Sequence, residues 1–163
     1  MAEFVIRAPR PHEAEELADL HVRTWEETYE GAFPPSAWDE SARAQRLNMW
    51  EAICSRPRPT DRFAVDVRQG VLIGLAGAGA STDEASVRGK HLYFIYFLAD
   101  AQGSGAGQAL LDAVLSREEP ASLWVLEGNA RARSFYERNG FAVDGARQDT
   151  GFDTGGEEVR MLR

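Results

Sequence analysis

Gly103, Gly105 and Gly107, three glycines in five positions, stand between a β-branched and aromatic run and a segment of helical apolar spacing. A chain with this pattern has to pass from strand to helix through one tight, close-approach turn. The preceding run, Lys90 to Leu98, suits a buried strand. After the glycines, Leu110, Leu111, Val114 and Leu115 recur at helical intervals. The first N–H groups of a helix have no intrahelical partner and lie at the positive end of its dipole, and glycine lets a ligand approach the backbone. The stretch from Gln102 to Gln108 therefore predicts a diphosphate held by backbone amides. A glycine-softened turn is the plainer alternative.

Two familiar phosphate loops do not match. A Walker loop requires Lys and then Ser or Thr after its last glycine, whereas Gln108 and Ala109 follow Gly107. A dinucleotide fingerprint read from Gly103 and Gly105 needs a third glycine where Gln108 stands, and it belongs near a first strand rather than two-thirds along a chain.

A chain of 163 residues is long enough for one substantial core and short for two, so a single domain spanning 1–163 is expected. No apolar run approaches the roughly 20 residues that span a bilayer, and the N-terminus has no basic-then-apolar signal pattern. These features predict a soluble, cytoplasmic protein without a membrane partner. Cys54 is the single cysteine and reads as a structural or surface thiol. No residues stand at metal-ligand spacing, so no metal is expected. A net charge of −8 without a lysine cluster argues against nucleic acid. Lys90 is the only lysine, a compositional bias from which nothing catalytic follows.

Much of the acidity is local: Glu13, Glu15, Glu16, Asp19, Glu26, Glu27 and Glu30 face only Arg23. The first four read as a solvated helix face, with Glu13, Glu15 and Glu16 favourable at the helix N-terminus. Glu26, Glu27 and Glu30 sit beside Trp25, Tyr29 and Phe33, and acidic groups among aromatics can attract a cationic amine.

Along the chain, Phe4 to Arg7 reads as a first strand and Ala14, Leu17, Ala18, His21 and Trp25 as one face of a helix, with His21 a packed histidine. A second helix is predicted from about Ala37 to Ile53. Arg62 to Val67 and Val71 to Gly79 form strands joined at Gln69-Gly70, and Ser81 to Gly89 a polar loop. Strand, glycine loop and helix follow, then a strand from Leu123 to Leu126 and a helix from Asn129 to Asn139 ended by Gly140. The remainder, Ala142 to Leu162, predicts a closing hairpin turning at Gly155-Gly156. Strands flanked by helices make the fold α/β with a mixed sheet.

Gln102, Gly105 and Gly107 match the Gln/Arg-x-x-Gly-x-Gly/Ala signature of the Gcn5-related N-acetyltransferase (GNAT) family. Downstream, Trp124 to Phe141 resembles its second signature: a strand, Asn129 opening a helix, Phe135-Tyr136-Glu137, and a closing Gly140-Phe141. Ile6-Arg7-Ala8 before an acidic amphipathic helix is similar to the family's opening. The resemblance covers essentially the whole chain. It implies a mixed sheet of six to seven strands flanked by about four helices, splayed open between the fourth and fifth strands, with acetyl-coenzyme A in the splay. It further implies acyl transfer to a primary amine of a small molecule or, alternatively, of a protein N-terminus or lysine. A non-catalytic acyl-coenzyme A sensor is the alternative of another class, and homodimers are frequent in the family.

Residue by residue, amides from Gly103, Ser104, Gly105, Ala106, Gly107 and Gln108, beside Gln102, would hold the pyrophosphate. The main chain of Ile95, Tyr96 and Phe97 would contact the pantetheine and thioester, with the amide near Phe97 stabilising the oxyanion. Asn129 maps onto the family's pantetheine-binding Asn, and it also reads as an ordinary helix N-cap. Tyr136 maps onto the general acid that protonates the leaving thiolate, against a plainer role in the core. A glutamate commonly stands near the start of the cleft strand, and here that place is taken by His91, which can serve as base alone or through water. Glu26, Glu27 and Glu30 are the competing candidates for the base, and a water chain is another.

Overall fold

The computed structural model describes residues 4–81, 88–152 and 156–163. Most of the polar loop expected from Ser81 to Gly89, and Gly155 of the expected closing turn, lie outside the described residues. The chain opens with a short strand, β1 (Val5–Arg7), and a sixteen-residue helix, α1 (Ala14–Tyr29), that buries Ala14, Leu17, Ala18, Leu20, His21 and Thr24. Glu13 is not solvated: it is buried and accepts from the Arg7 guanidinium at 2.5 Å, so the pair joins β1 to the start of the helix. The second helix, α2 (Glu40–Ser55), starts later than apolar spacing suggests. Pro35–Ala37 forms a single 3-10 turn, and the Asp39 carboxylate then caps the helix by accepting from the Ala42 N–H at 2.8 Å.

Six further strands and two helices follow as β2 (Arg62–Arg68), β3 (Val71–Ala80), β4 (Lys90–Phe97), α3 (Ala106–Val114), β5 (Ser122–Leu126), α4 (Ala130–Arg138), β6 (Ala142–Asp149) and β7 (Glu157–Leu162). They build one seven-stranded sheet in the order β1-β2-β3-β4-β5-β7-β6, with every neighbouring pair antiparallel except β4 and β5. The closing hairpin thus inserts its second strand into the sheet and leaves its first at the edge. Burial explains the choice. Val159 and Met161 alternate as apolar residues that need cover, whereas every residue of β6 is exposed except half-buried Ala146.

Helices α1 and α2 cover one face, packing Leu17, Ala18 and Trp50 on Val65, Leu72 and Leu75. Trp50 is wholly buried although α2 as a whole is only weakly amphipathic. On the other face, Leu110, Leu111 and Val114 of α3 and Tyr136 of α4 pack with Leu123, Val125, Val159 and Met161. Each such aliphatic side chain contributes about 1.5–3 kcal/mol of transfer free energy. The sheet is thereby clamped from both sides, and its one parallel junction is where it opens.

Candidate active site

Strands β4 and β5 pair only at His91 with Ser122 and Leu92 with Leu123. Beyond that point β4 stays with β3 and β5 stays with β7. The divergence begins at a bulge: Gly77 faces Phe94 and Ala78 faces Leu92, so Tyr93 is the extra residue. Its hydroxyl is held by Ala80 O at 3.0 Å and Asp61 Oδ1 at 3.2 Å. Between the separated strands lies a cleft of about 570 Å³. Because the Leu98 N–H donates to Ile73 O, ladder alternation turns the peptide groups of Ile95 and Phe97 away from β3, toward the cleft. Main chain that the family would use on the pantetheine and thioester therefore lies open on the expected side.

At the end of β4 the glycine loop adopts the conformation its composition predicts. Gly103 and Gly105 have φ of +77° and +85°, and Gly105 is the N-cap of α3. No acceptor among the described residues meets the N–H groups of Gly103, Gly105, Gly107 or Gln108. All four residues line the cleft. A Cβ on Gly107 would come within 3.0 Å of the Phe97 ring, so the helix start can approach β4 this closely only as glycine. This set of unpaired donors at a helix N-terminus, opening into a cleft, fits a pyrophosphate. Ser104 and Ala106 are turned elsewhere. The Ser104 hydroxyl accepts from Arg68 Nη2 at 2.7 Å and donates to Ala101 O, and Ala106 is fully buried. Arg68 in turn pairs with fully buried Asp66 at 3.3 Å, so an ionic brace underlies the loop. Gln102 accepts from Arg131 of α4, and Gln108 donates to Asn139 at 2.8 Å, tying the loop to the second signature.

Asn129 caps α4, accepting from the Ala132 N–H at 3.2 Å, and also lines the cleft. The two readings of this residue are compatible, since the cap uses only its carbonyl oxygen. Tyr136, on the inner face of α4, is 8% exposed and lines the cleft. Burial, then the neighbouring Tyr29, pushes its phenol well above the ordinary value, so it carries its proton.

On the opposite wall the structure brings in a residue that sequence spacing did not single out. Glu158 of β7 stands beside Leu126 of β5 and lines the cleft, with Gln148 donating to its carboxylate at 3.3 Å. Burial raises its pKa. Its charge also raises the phenols of Tyr29 and Tyr96, whose hydroxyls are 3.4 Å apart. The signal available in the sequence was weak: in the alternation of β7, Glu158 falls on the face opposite Val159, and nothing there says that this face meets the cleft. His91 lies at the closed end of the splay, with Nδ1 2.8 Å from Ser122 Oγ, and lines the cleft too. Glu26, Glu27 and Glu30 are exposed and do not line it. Glu27 is spent on the Ala99 N–H at 3.0 Å and on Arg23. The aromatics beside them do reach the site: Trp25 and Tyr29 form part of its lining.

Among the described residues no cluster of His, Cys, Asp or Glu is arranged to hold a metal ion, and no helix is long and apolar enough to cross a membrane.

The model of the Acetyltransferase (GNAT) family matches residues 15–141. A probable N-acetyltransferase of Mycobacterium tuberculosis is 26% identical over 157 aligned positions, covering 86% of this chain and 80% of that protein. Among solved structures, the PaiA N-acetyltransferase of Thermoplasma acidophilum in complex with coenzyme A superposes with a TM-score of 0.71 at 21% identity, over 99% of this chain and 98% of that one. A Corynebacterium glutamicum protein described as histone acetyltransferase HPA2 and related acetyltransferase also reaches 0.71, at 19% identity over 99% and 96%. The fold is shared with these structures, and the family match spans both signatures. The chain belongs to the acetyltransferase (GNAT) family and is an acetyltransferase enzyme.

Proposed function

We propose that this enzyme transfers the acetyl group of acetyl-coenzyme A directly to the primary amine of a small molecule. The observation that carries the reading is the set of unpaired N–H groups of Gly103, Gly105, Gly107 and Gln108, opening into the same cleft as Tyr136 and Glu158. Coenzyme A in the Thermoplasma acidophilum neighbour supports the donor. The donor supplies an activated acyl thioester; this chain supplies the rest. Amides of the glycine loop hold the pyrophosphate, and Asn129 and the exposed edge of Ile95 to Phe97 orient the pantetheine arm. The Phe97 N–H faces the oxygen on which negative charge grows.

An alkylamine with pKa near 10 is protonated at pH 7, and freeing its lone pair costs roughly 4 kcal/mol. Glu158 takes that proton: burial makes its carboxylate a stronger base than an exposed one. As the C–N bond forms and the C–S bond breaks, Tyr136 gives its proton to the departing thiolate. The cleft that raises the Tyr136 pKa also raises the proton affinity of a thiolate released beside it, so the two remain matched. A small acceptor is favoured by the aromatic cluster of Trp25, Tyr29, Phe33 and Phe152, which closes this side over Leu126.

Release of free thiol, measured across small amines and peptides with a free N-terminus or lysine, tests the reading. Turnover is expected on small amines, and Tyr136→Phe is expected to lower kcat about 100-fold while coenzyme A affinity stays within twofold. An unchanged rate removes Tyr136 as the acid. Turnover confined to peptides would make the acceptor a protein, and binding without release on any amine would make the chain a sensor.

A further inference from the structure

Next to the cleft lies a second recess of about 350 Å³, open to solvent and lined from α1, α2 and β4. Trp25, Tyr93, Phe94 and Tyr96 line both cavities, so the recess adjoins the cleft across the face of β4 on which α1 and α2 pack. One arginine, Arg46 of α2, lines it, and that arginine is incompletely satisfied. Nη1 donates to Ala42 O at 3.2 Å, within its own helix. Nε is buried and bonded to nothing, and no carboxylate among the described residues pairs with the guanidinium. Instead the Arg46 Cζ sits 4.6 Å from the centre of the Trp25 ring, whose own Nε1 is likewise buried without an acceptor. Two donors on neighbouring helices beside one recess thus have no acceptor among the described residues.

The geometry narrows what that acceptor is. Nη1 is used by the backbone and Nε is sealed from the recess, so Nη2, which has no partner among the described residues and is not buried, is the end of the guanidinium open to a carboxylate. His21, the other basic group lining the recess, is held neutral by burial, its Nδ1 accepting from Trp50 Nε1 at 3.2 Å. A single cation therefore matches a monoanion rather than a phosphate dianion. The cation–π contact with Trp25 holds the guanidinium in place beside the recess. Partial burial lowers the Arg46 pKa, as expected of a cation stripped of water and not yet given a partner.

We propose that the acceptor is a primary amine that also carries a carboxylate, its amine in the cleft near Glu158 and its carboxylate on Arg46 Nη2. The inference deepens the acetyl-transfer reading and rests on it. Charge complementarity runs from cleft to recess: an acid at the amine end and a guanidinium at the far end, with Trp25 and Tyr96, which line both cavities, between them.

The test uses a series of ω-amino carboxylic acids of two to six carbons and the matching carboxamides as acceptors, with thiol release as readout. In the wild type, kcat/KM for the best carboxylate is expected to exceed that of its amide at least tenfold, mainly through KM. Arg46→Met is expected to lower that ratio at least tenfold, and Arg46→Lys, which keeps the charge but not the planar group over Trp25, by an intermediate factor. Equal rates on acid and amide in the wild type, or a ratio untouched by both variants, would overturn the proposal. Unfolding midpoints of the variants confirm that they fold, and Arg46→Lys carries the reading should Arg46→Met not do so. If neither these series nor any of the small amines and peptides above releases thiol, the acetyl-transfer reading has failed, and the subsite is judged by titration calorimetry of the same carboxylates into protein saturated with coenzyme A. Heat that disappears in Arg46→Met or Arg46→Lys supports the anion subsite; identical heats in wild type and variants overturn it.

Discussion

The two ends of the cleft are built in different ways. The donor end is backbone: glycines with positive φ, unpaired amides and the N-terminus of α3, all within a few residues of one another in sequence. The acceptor end is side chain, and its parts arrive from distant places: Trp25 and Tyr29 from α1, Arg46 from α2, Tyr96 from β4, Glu158 from β7. Backbone amides bind whatever presents a diphosphate and carry no information about the acyl acceptor. Side chains from four elements can be changed one at a time without disturbing the loop. A fixed donor and a variable acceptor are the physical consequence, with β4 as the strand common to both.

The largest expected effect breaks the donor end. Gly105→Val places a β-branched residue at φ of +85°, where L side chains are strained by roughly 1–3 kcal/mol, and the N-cap must shift to relieve it. Shifting it misaims the Gly107 and Gln108 amides. Coenzyme A affinity is expected to fall at least 100-fold, measured by calorimetry, while the far-ultraviolet circular dichroism of the sheet is retained. Full affinity in this variant would mean that the loop is a turn and nothing more.

The same division governs what could be read from the chain. That Gln102, the three glycines, Asn129 and Tyr136 line one cleft was legible because strand, loop and helix are contiguous, and local chemistry fixes the local conformation. The boundaries of β2, β3, β4, β5 and α4 fall within two residues of their expected positions for the same reason. Glu158 was not legible. Its place in the site depends on β7 rather than β6 pairing with β5, a contact between segments more than thirty residues apart that no spacing in either one encodes. Local reading pointed instead to His91, which does line the cleft, and to the competing Glu26, Glu27 and Glu30, whose neighbours in sequence are aromatic; Trp25 and Tyr29 of α1 turn toward the site and the three acids toward solvent. Helical periodicity makes neighbouring residues diverge in this way.

A smaller effect sharpens the acceptor end by separating its two candidate bases. Glu158→Gln keeps the shape and the hydrogen bond from Gln148 but cannot take a proton, and kcat/KM is expected to fall some tenfold to fiftyfold. The sign of the pH dependence follows from the shift. A carboxylate whose pKa burial has raised stays protonated to higher pH than a free glutamate, so the wild-type rate falls as pH drops through that raised value. In Glu158→Gln this acidic limb should disappear. If the limb survives there and is lost in His91→Gln, the histidine at the closed end of the splay is the base.

The smallest effect concerns stability and again divides the two ends, because the donor amides do not titrate whereas the acceptor wall contains His21. Burial, with a lesser push from Arg46, lowers its pKa to about 3. The unfolded chain, with a histidine near 6.5, then binds the extra proton between those values, so stability is full above pH 6.5 and is lost as pH falls toward 3. The slope approaches about 1.4 kcal/mol per pH unit, a factor of ten in the folding equilibrium. Raised carboxylates such as Glu158 act in the opposite direction, which is why the difference between wild type and His21→Gln, a variant retaining an acceptor for Trp50, is the quantity to measure. Urea unfolding from pH 7 to 5 should show the wild type losing stability relative to the variant as acid is added. Parallel curves would mean that the His21 ring takes up its proton in the folded state, and the recess beside Arg46 would then hold two cations rather than one.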